Sequence, residues 1–580
     1  MVSMVESAEK SNRCGSGGNA WPFISIRHPM SVNERADEFP LLAEAHRRHP
    51  GACDEFWFAT GSRKTIPDLE REVATFARYR GLCDGAGIGL GYQQGMTLGH
   101  GEKHDGKGRP GEQVFSDDAW QRGRDGCRIP FLCPRSPEVL AYEREYAKAV
   151  MRVARPTSFW IDDDLRLGVC KPEGCFCGRC LAAFNEFSGG SWTREALVAR
   201  LFDAESAHEP VRAQWSAFNA GSLAVYAAEV RKAADETGLD CRLGYQAVWA
   251  DRTYTADGYG PLLAALSGAG GARVGIRPGA GFYNEGEPRC MVRKCLSVAR
   301  EAERVRGAGP AGGVAVCYEE ETYPRHMLHK TPGAIVKECA LALASGCDSL
   351  SIYWFPAESP LPVEEYDRFL GTLVRARPYF TRLAESTRRT RLGGVARYVG
   401  SAAGETPDFD LYDETDFDLA CAGIPVTVAN PAVSAWYATD KTRREMAASD
   451  GAALAALPVA DIGGMGRFPT AARRAKLLDD LDSLTGGAFP VRVDACRALR
   501  ILPRVLPGGR LDSVTLLNLS IGDTGPLSVR LRNPAGGVVS WQGPGDAAPV
   551  PVAARGGGGE MSVALDNLGP WEIGTLFIAR

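Results

Sequence analysis

The sequence predicts an α/β fold: a (β/α)8 TIM barrel, then a mixed α/β domain and a C-terminal β-sandwich. Three observations carry this. Between about residues 52 and 385, short apolar runs alternate with longer stretches of helical periodicity, the pattern of parallel βα units. No glycine-rich phosphate loop follows a strand, which favours a closed barrel over a doubly wound open sheet. From residue 493 onward helical patterns disappear, and apolar and polar side chains alternate between Gly-rich turns. At roughly 150 residues per domain, 580 residues correspond to about three or four domains. The texture changes divide them at 1–388, 389–492 and 493–580.

The candidate barrel strands are ACDEFWFAT (52–60), GIGLGY (87–92), TSFWID (157–162), CRLGYQAVW (241–249), ARVGIR (272–277), GVAVCYE (313–319) and DSLSIYWF (348–355). That is seven, and the eighth is expected as a short third strand within the Gly- and charge-rich stretch from about 100 to 130. Helical periodicity covers 67–82, 136–154, 214–238, 293–307 and 332–346 between them. Residues 390–490 mix AGIPVTVANP and LAALPVADIGG with the helical KTRREMAAS and ARRAKLLDDLDSLTGG. In the last domain SVTLLNLSIG, PLSVRLRNP, GEMSVALDNL and IGTLFIAR read as strands.

Composition narrows the function. Apolar residues at 44% and charged residues at 24% are those of a folded globular chain. A net charge of −4 provides no basic field for nucleic acid or anionic membrane. Seventeen cysteines cannot all pair, so reduced thiols are expected. The first thirty residues hold no apolar run of signal-peptide length, and no stretch approaches the roughly 20 apolar residues of a membrane span. A soluble, cytoplasmic protein is expected.

In a barrel of this kind the working residues sit at the C-terminal strand ends. The fourth strand runs into Asp162, Asp163 and Asp164, where alternation points the outer two one way and Asp163 the other. The seventh runs into Glu319, Glu320 and Glu321, with Glu319 and Glu321 on one face. Crowded carboxylates raise one another's pKa. Two of them across one cleft provide the acid and the nucleophile of glycoside hydrolysis. An acidic triplet alone is more often a set of solvated loop charges or helix N-terminal caps, and it is the joint placement of the two that points to chemistry. A Mg²⁺ or Ca²⁺ site is disfavoured, because no regular Asp-x-Asp-x-Asp loop is present.

Cys175, Cys177 and Cys180 form a Cys-x-Cys-x-x-Cys loop soon after the aspartates. Three thiolates so close want a fourth ligand to complete a structural, tetrahedral Zn²⁺ site. Cys133 is the natural donor, with Cys170 and Cys127 as runners-up.

At these residues the sequence resembles the β-galactosidases of glycoside hydrolase family 42. There a strand ending in Asp-Asn-Glu, the Glu being the acid/base, precedes a Cys-x-Cys-x-x-Cys loop, with a further cysteine upstream in Cys-Pro-Asn-Ser-Pro. The corresponding stretches are Cys133-Pro134-Arg135-Ser136-Pro137, Asp162-Asp163-Asp164, and Cys175 to Cys180 leading into Leu181–Phe187. The match spans the barrel and extends to a trimerisation-like middle domain and a short C-terminal β-domain, which implies a homo-oligomer, trimer or dimer. Asp163-Asp164 stands where that family has Asn-Glu, and this departure bears on sugar preference.

The resemblance implies an exo-acting retaining β-glycosidase with Asp164 as acid/base and no organic cofactor. For the nucleophile, an apolar strand running into a glutamate favours Glu319. Glu321-Thr322-Tyr323-Pro324 resembles the family's Glu-x-x-Pro and keeps Glu321 open. Asp163 completes the catalytic set. Arg128, Asp162, Trp249, Tyr283 and Trp354 are the expected substrate-binding residues, with Asn284 beside Tyr283. A retaining pair would lie about 5 to 5.5 Å apart. The alternative is a non-catalytic carbohydrate-binding or assembly protein on a decayed glycosidase barrel.

Overall fold

The computed structural model describes residues 23–28, 38–60, 63–99, 112–167, 174–203, 210–247, 259–279, 281–323, 328–353, 362–398, 414–439, 443, 451–462, 470–494, 497–557 and 559–579. Eight parallel strands close into a barrel: β1 (Ile24–Arg27), β2 (Glu55–Thr60), β3 (Gly89–Gln94), β4 (Ser158–Ile161), β5 (Arg242–Ala247), β6 (Val274–Pro278), β7 (Val314–Glu321) and β8 (Ser349–Tyr353). Each pairs with its neighbours in chain order, and β8 returns to β1 through Ile24–Leu350 and Ile26–Ile352.

The missing strand is β1, not a strand between 100 and 130. That stretch supplies an antiparallel hairpin, Trp120–Arg122 with Arg128–Leu132, outside the barrel. β1 is only four residues long and precedes the first recognisable βα repeat. It is secured from outside, since Ile24 N donates to Asp54 Oδ2 (2.8 Å) and Arg377 from the last barrel helix pairs with the same carboxylate (2.7 Å).

The helices start where the local chemistry allows. Thr65 and Thr331 each accept a backbone N–H from the first turn of the helices Ile66–Gly85 and Pro332–Ser345, and each of these has a proline in that turn. Apolar outward faces of the strands, such as Phe56 and Phe58 or Val316 and Tyr318, pack against the helices as one core.

Inside the barrel the layers are polar and aromatic. At the floor, Glu55 is buried and accepts from Thr157 Oγ1 (2.7 Å) and Ser158 Oγ (2.9 Å), with Arg242 at 3.7 Å. Such donors offset a desolvation cost of several kcal/mol. A Cβ on Gly91 would fall 2.9 Å from that carboxyl carbon, so the carboxylate occupies the space a side chain would take.

Beyond the barrel, Gly394–Arg397, Val433–Tyr437 and Val459–Ala460 form a parallel three-stranded sheet. Two antiparallel sheets of six and four strands share one apolar core that includes Val493, Ile501, Leu516 and Val563. The six-stranded sheet docks on the C-terminal part of the last barrel helix, Val363–Arg389: Tyr379 bonds Thr575 (2.8 Å), and Ser386 and Arg389 bond Asp512 (2.7 and 3.1 Å). That helix runs antiparallel to β8, so this docking lies away from the C-terminal mouth. No helix among the described residues is long and apolar enough to cross a membrane.

Candidate active site

Strand alternation turns Arg27, Trp57, Gln93, Trp160, Gln246, Arg277, Glu319 and Tyr353 into the barrel interior near its C-terminal mouth. Arg277 is the hub. Its guanidinium lies 4.2 Å from the Trp57 ring centre and 4.0 Å from that of Trp160. A Cβ on Gly244 would meet the Trp160 ring at 2.5 Å, so only glycine lets that indole lie there.

Arg277 Nη1 donates to Gln93 Oε1 (2.6 Å) and Gln246 Oε1 (2.9 Å). Gln93 Nε2 then donates to Asp162 Oδ1, and Gln246 Nε2 to Glu319 Oε1, both at 2.6 Å. One cation and two amides thus join the strand-4 carboxylate to the strand-7 carboxylate in a continuous chain. The three linking residues were absent from the sequence-derived set. Their signal was a polar side chain at an inward position of an otherwise apolar strand.

β7 continues through Glu321, and alternation holds to its end. Glu319 and Glu321 face inward, while Glu320 points out into a buried ion cluster. Lys330 Nζ lies 2.8 Å from Glu320 Oε1 and 2.7 Å from Glu338 Oε2, and Lys294 Nζ is 3.3 Å from Glu338 Oε1. The same two lysines donate to the backbone carbonyls of Glu319 (2.5 Å) and Glu321 (2.9 Å). They therefore grip the strand behind both inward carboxyls. Burial, then the neighbouring Glu321 charge, pushes Glu319 up to about 7, opposed by Arg277, Lys294 and Arg27.

The aspartates depart from simple alternation. β4 ends at Ile161, and Leu165 N bonds Asp162 O (3.2 Å) across a turn. The turn aims the three carboxyls differently. Asp162 joins the Gln93 chain. Asp164 is fully buried and bonded through both oxygens to Thr97, at N (2.8 Å) and Oγ1 (2.6 Å). It therefore ties the ends of β3 and β4 together, with both oxygens engaged where a free acid was expected. Asp163 is half-buried, and burial followed by the charge of Asp162 raises it well above the carboxylate range. Arg166 opposes the shift, and Asp164 and Glu319 add to it. The Glu319 charge is thus among those acting on Asp163.

At the rim, Tyr283 is 41% and Tyr323 53% exposed, with ring centres 5.8 Å apart at 62°. The fields of Glu321, Glu319 and Asp163 all reach the Tyr283 hydroxyl. Tyr323 is an addition from the structure. Asn284 turns its side chain back to Gly286 N (2.7 Å). Arg128 lies on the hairpin, stacked 4.0 Å from the Trp120 ring centre and 3.7 Å from Asp117, and it contacts none of the strand-end carboxyls. Trp249 and Trp354 lie outside the described residues, as does Cys170.

The sulfurs of Cys133, Cys175, Cys177 and Cys180 all lie within 4.8 Å of one another, with Cys133 3.5 Å from Cys180 and 3.9 Å from Cys177. Tetrahedral zinc with bonds of about 2.3 Å needs sulfurs about 3.8 Å apart. The set fits such an ion with no position left for a substrate. Phe176 stacks on Trp215 (5.0 Å), closing an apolar shell around the sulfurs. Cys127 stands apart, exposed, with its N–H on Asp125.

No protein-family model matches this sequence, and no curated protein is similar to it in sequence. Solved structures do share its fold. An α-L-fucosidase, isoenzyme 2 of Paenibacillus thiaminolyticus, superposes with a TM-score of 0.59 at 10% identity, over 97% of this chain and 100% of that one. A β-galactosidase from Rahnella sp. R3 gives 0.55 at 12% identity, over 96% and 98%. A family 42 β-galactosidase from G. stearothermophilus gives 0.54 at 10% identity, over 97% and 99%. At these identities the likeness is one of fold, and it extends along nearly the whole chain, beyond the barrel.

Proposed function

We propose that this chain is a glycoside hydrolase, an exo-acting retaining glycosidase with Asp163 as acid/base and Glu319 as nucleophile. The observation that supports the reading is the meeting of carboxyls from the turn after β4 and the end of β7 at the barrel mouth, where Gln93, Arg277 and Gln246 join Asp162 to Glu319 and Asp163 stands next to Asp162, raised by burial and by that charge. Asp163 donates its proton to the glycosidic oxygen as Glu319 attacks the anomeric carbon, which forms a glycosyl ester and releases the aglycone. Asp163, now ionised, then takes a proton from water as that water attacks the same carbon and frees Glu319. Asp164 leaves the acid role, since both its oxygens serve Thr97.

Tyr283 and Tyr323 offer exposed rings for sugar stacking at the rim. The enzymes that share the fold put β-galactosides and α-L-fucosides first among substrates to test. The test is a screen of purified protein against a nitrophenyl glycoside panel, with release of nitrophenol from at least one member expected. Sugar binding without hydrolysis anywhere in the panel would favour a carbohydrate-binding protein instead.

We further propose that the four cysteines bind one structural zinc. Metal analysis should give about one zinc per chain, and Cys133→Ala should lose it together with several degrees of melting temperature. Full zinc in that variant would remove Cys133 from the site.

A further inference from the structure

Arg27 ends β1 at the barrel mouth and is only 6% exposed. Its guanidinium lies 4.0 Å from the Tyr353 ring centre and 5.0 Å from that of Trp57. Stacking covers its faces but uses none of its five N–H donors. Among the described residues it makes no hydrogen bond and no ion pair, and its Nε is buried without a partner. Arg277, by contrast, gives its donors to Gln93 and Gln246.

Glu321 is the complementary case. Its backbone carbonyl is taken by Lys330, yet its carboxylate accepts no hydrogen bond among the described residues. Glu321 pairs in register with Tyr353, on which Arg27 stacks, and its charge is among those acting on Arg27. Arg27, buried, and Glu321, half-buried, are inward ends of β1 and β7 flanking Tyr353 of β8, and neither is bonded to the other, so the mouth carries a donor and an acceptor at one level. A hydroxyl group suits such a pair, since it accepts from one and donates to the other over two bonds of about 2.8 Å.

We propose that Arg27 and Glu321 together bind a ring hydroxyl of the sugar whose bond is cleaved, and so select a neutral, hydroxylated glycone over an anionic one. A sugar carboxylate or sulfate would satisfy Arg27 but would face Glu321, Glu319 and Asp162, with repulsion opposing the gain. The inference rests on the glycosidase reading, because it names the sugar's contact within that site.

The test uses the glycoside found by the panel, its monodeoxy analogues and the matching uronide, with wild type, Arg27→Lys and Arg27→Met. One deoxy position should cost wild type about 10²- to 10⁴-fold in kcat/KM, because its absence strands buried polar groups. Arg27→Met should lose a similar factor on the parent sugar, and no further factor on that one analogue. The uronide should be the poorer substrate by at least about tenfold. Equal deoxy penalties in wild type and variant, or a preferred uronide, would overturn the proposal.

Arg27→Lys keeps the charge but not the fork, and it should show the same non-additivity if Arg27→Met fails to fold. If wild type hydrolyses nothing, calorimetric titration with galactose, L-fucose and their monodeoxy forms separates the two ideas. Binding that loses the same single hydroxyl's contribution in Arg27→Met would sustain the contact while the hydrolase reading falls. Absence of binding would end both.

Discussion

Asp163 and Asp164 are adjacent and chemically identical, and their surroundings set them apart. Asp164 is enclosed on Thr97, and Asp163 is half-buried among like charges. Asp163→Ala should lose about 10²- to 10⁴-fold in turnover of glycosides with poor leaving groups, while glycosylation by activated aryl glycosides is largely spared. Asp164→Ala should instead lower stability by about 1 to 3 kcal/mol by stranding the Thr97 N–H and hydroxyl, with activity per folded molecule mostly retained. Kinetics with paired leaving groups and thermal melts of both variants check this, and a leaving-group-dependent loss in Asp164→Ala alone would reverse the assignment. The pH profile follows from Glu319, which must be ionised to attack and whose pKa is pushed up to about 7. Activity should therefore rise with pH through neutrality as Glu319 loses its proton. Arg277 opposes that upward shift, so Arg277→Met should move the rising limb to higher pH; an unmoved limb would show that another group controls it. At this scale the sequence disclosed Glu319 and Glu321 because their strand continues through them. It concealed how the three aspartates are aimed, because β4 stops before the triplet and a turn, not alternation, directs the carboxyls.

β7 is held from behind by two buried lysines. Lys294 on the helix Pro288–Ala308 and Lys330, just before Pro332–Ser345, share Glu338 and both bond carbonyls of β7. These charges are almost wholly buried, and their energetic value lies in being complete. Lys330→Met should remove about 3 to 5 kcal/mol by leaving Glu320 and Glu338 uncompensated. Adding Glu320→Leu should recover part of that loss. Denaturant melts of the single and double variants measure both, and an undiminished single variant would show that water replaces the lysine. Nothing in the sequence flagged this cluster, since its members are spread from residue 294 to residue 338 and meet only through packing. The cysteine loop was legible because its spacing is local, and the helical periodicities were legible because they repeat over many turns. β1 has four residues and no repeat to betray it, so the barrel's eighth strand is not legible in the sequence, and the stretch from 100 to 130 supplies the hairpin instead.

Barrel closure turns these local features into one site. Residues 27, 93, 162, 246, 277 and 319 belong to six different strands or strand ends, and only the closed order β1 to β8 brings them to one mouth. The Gln93–Arg277–Gln246 chain then spans from Asp162 to Glu319 with bonds of 2.6 to 2.9 Å, so the gap between the acidic ends of β4 and β7 is set by the barrel and not by flexible loops. A gap of this kind decides stereochemistry: carboxyls about 5 to 5.5 Å apart leave room for direct attack, and those beyond roughly 6.5 Å admit a water between nucleophile and sugar. Under the proposed double displacement Glu319 attacks directly, and the sugar should leave with its original anomeric configuration. Proton NMR of the first product, recorded before mutarotation, reads this directly. A product of opposite configuration would make Glu319 a general base activating water, while leaving intact the acid role of Asp163 and the hydroxyl contact of Arg27 and Glu321.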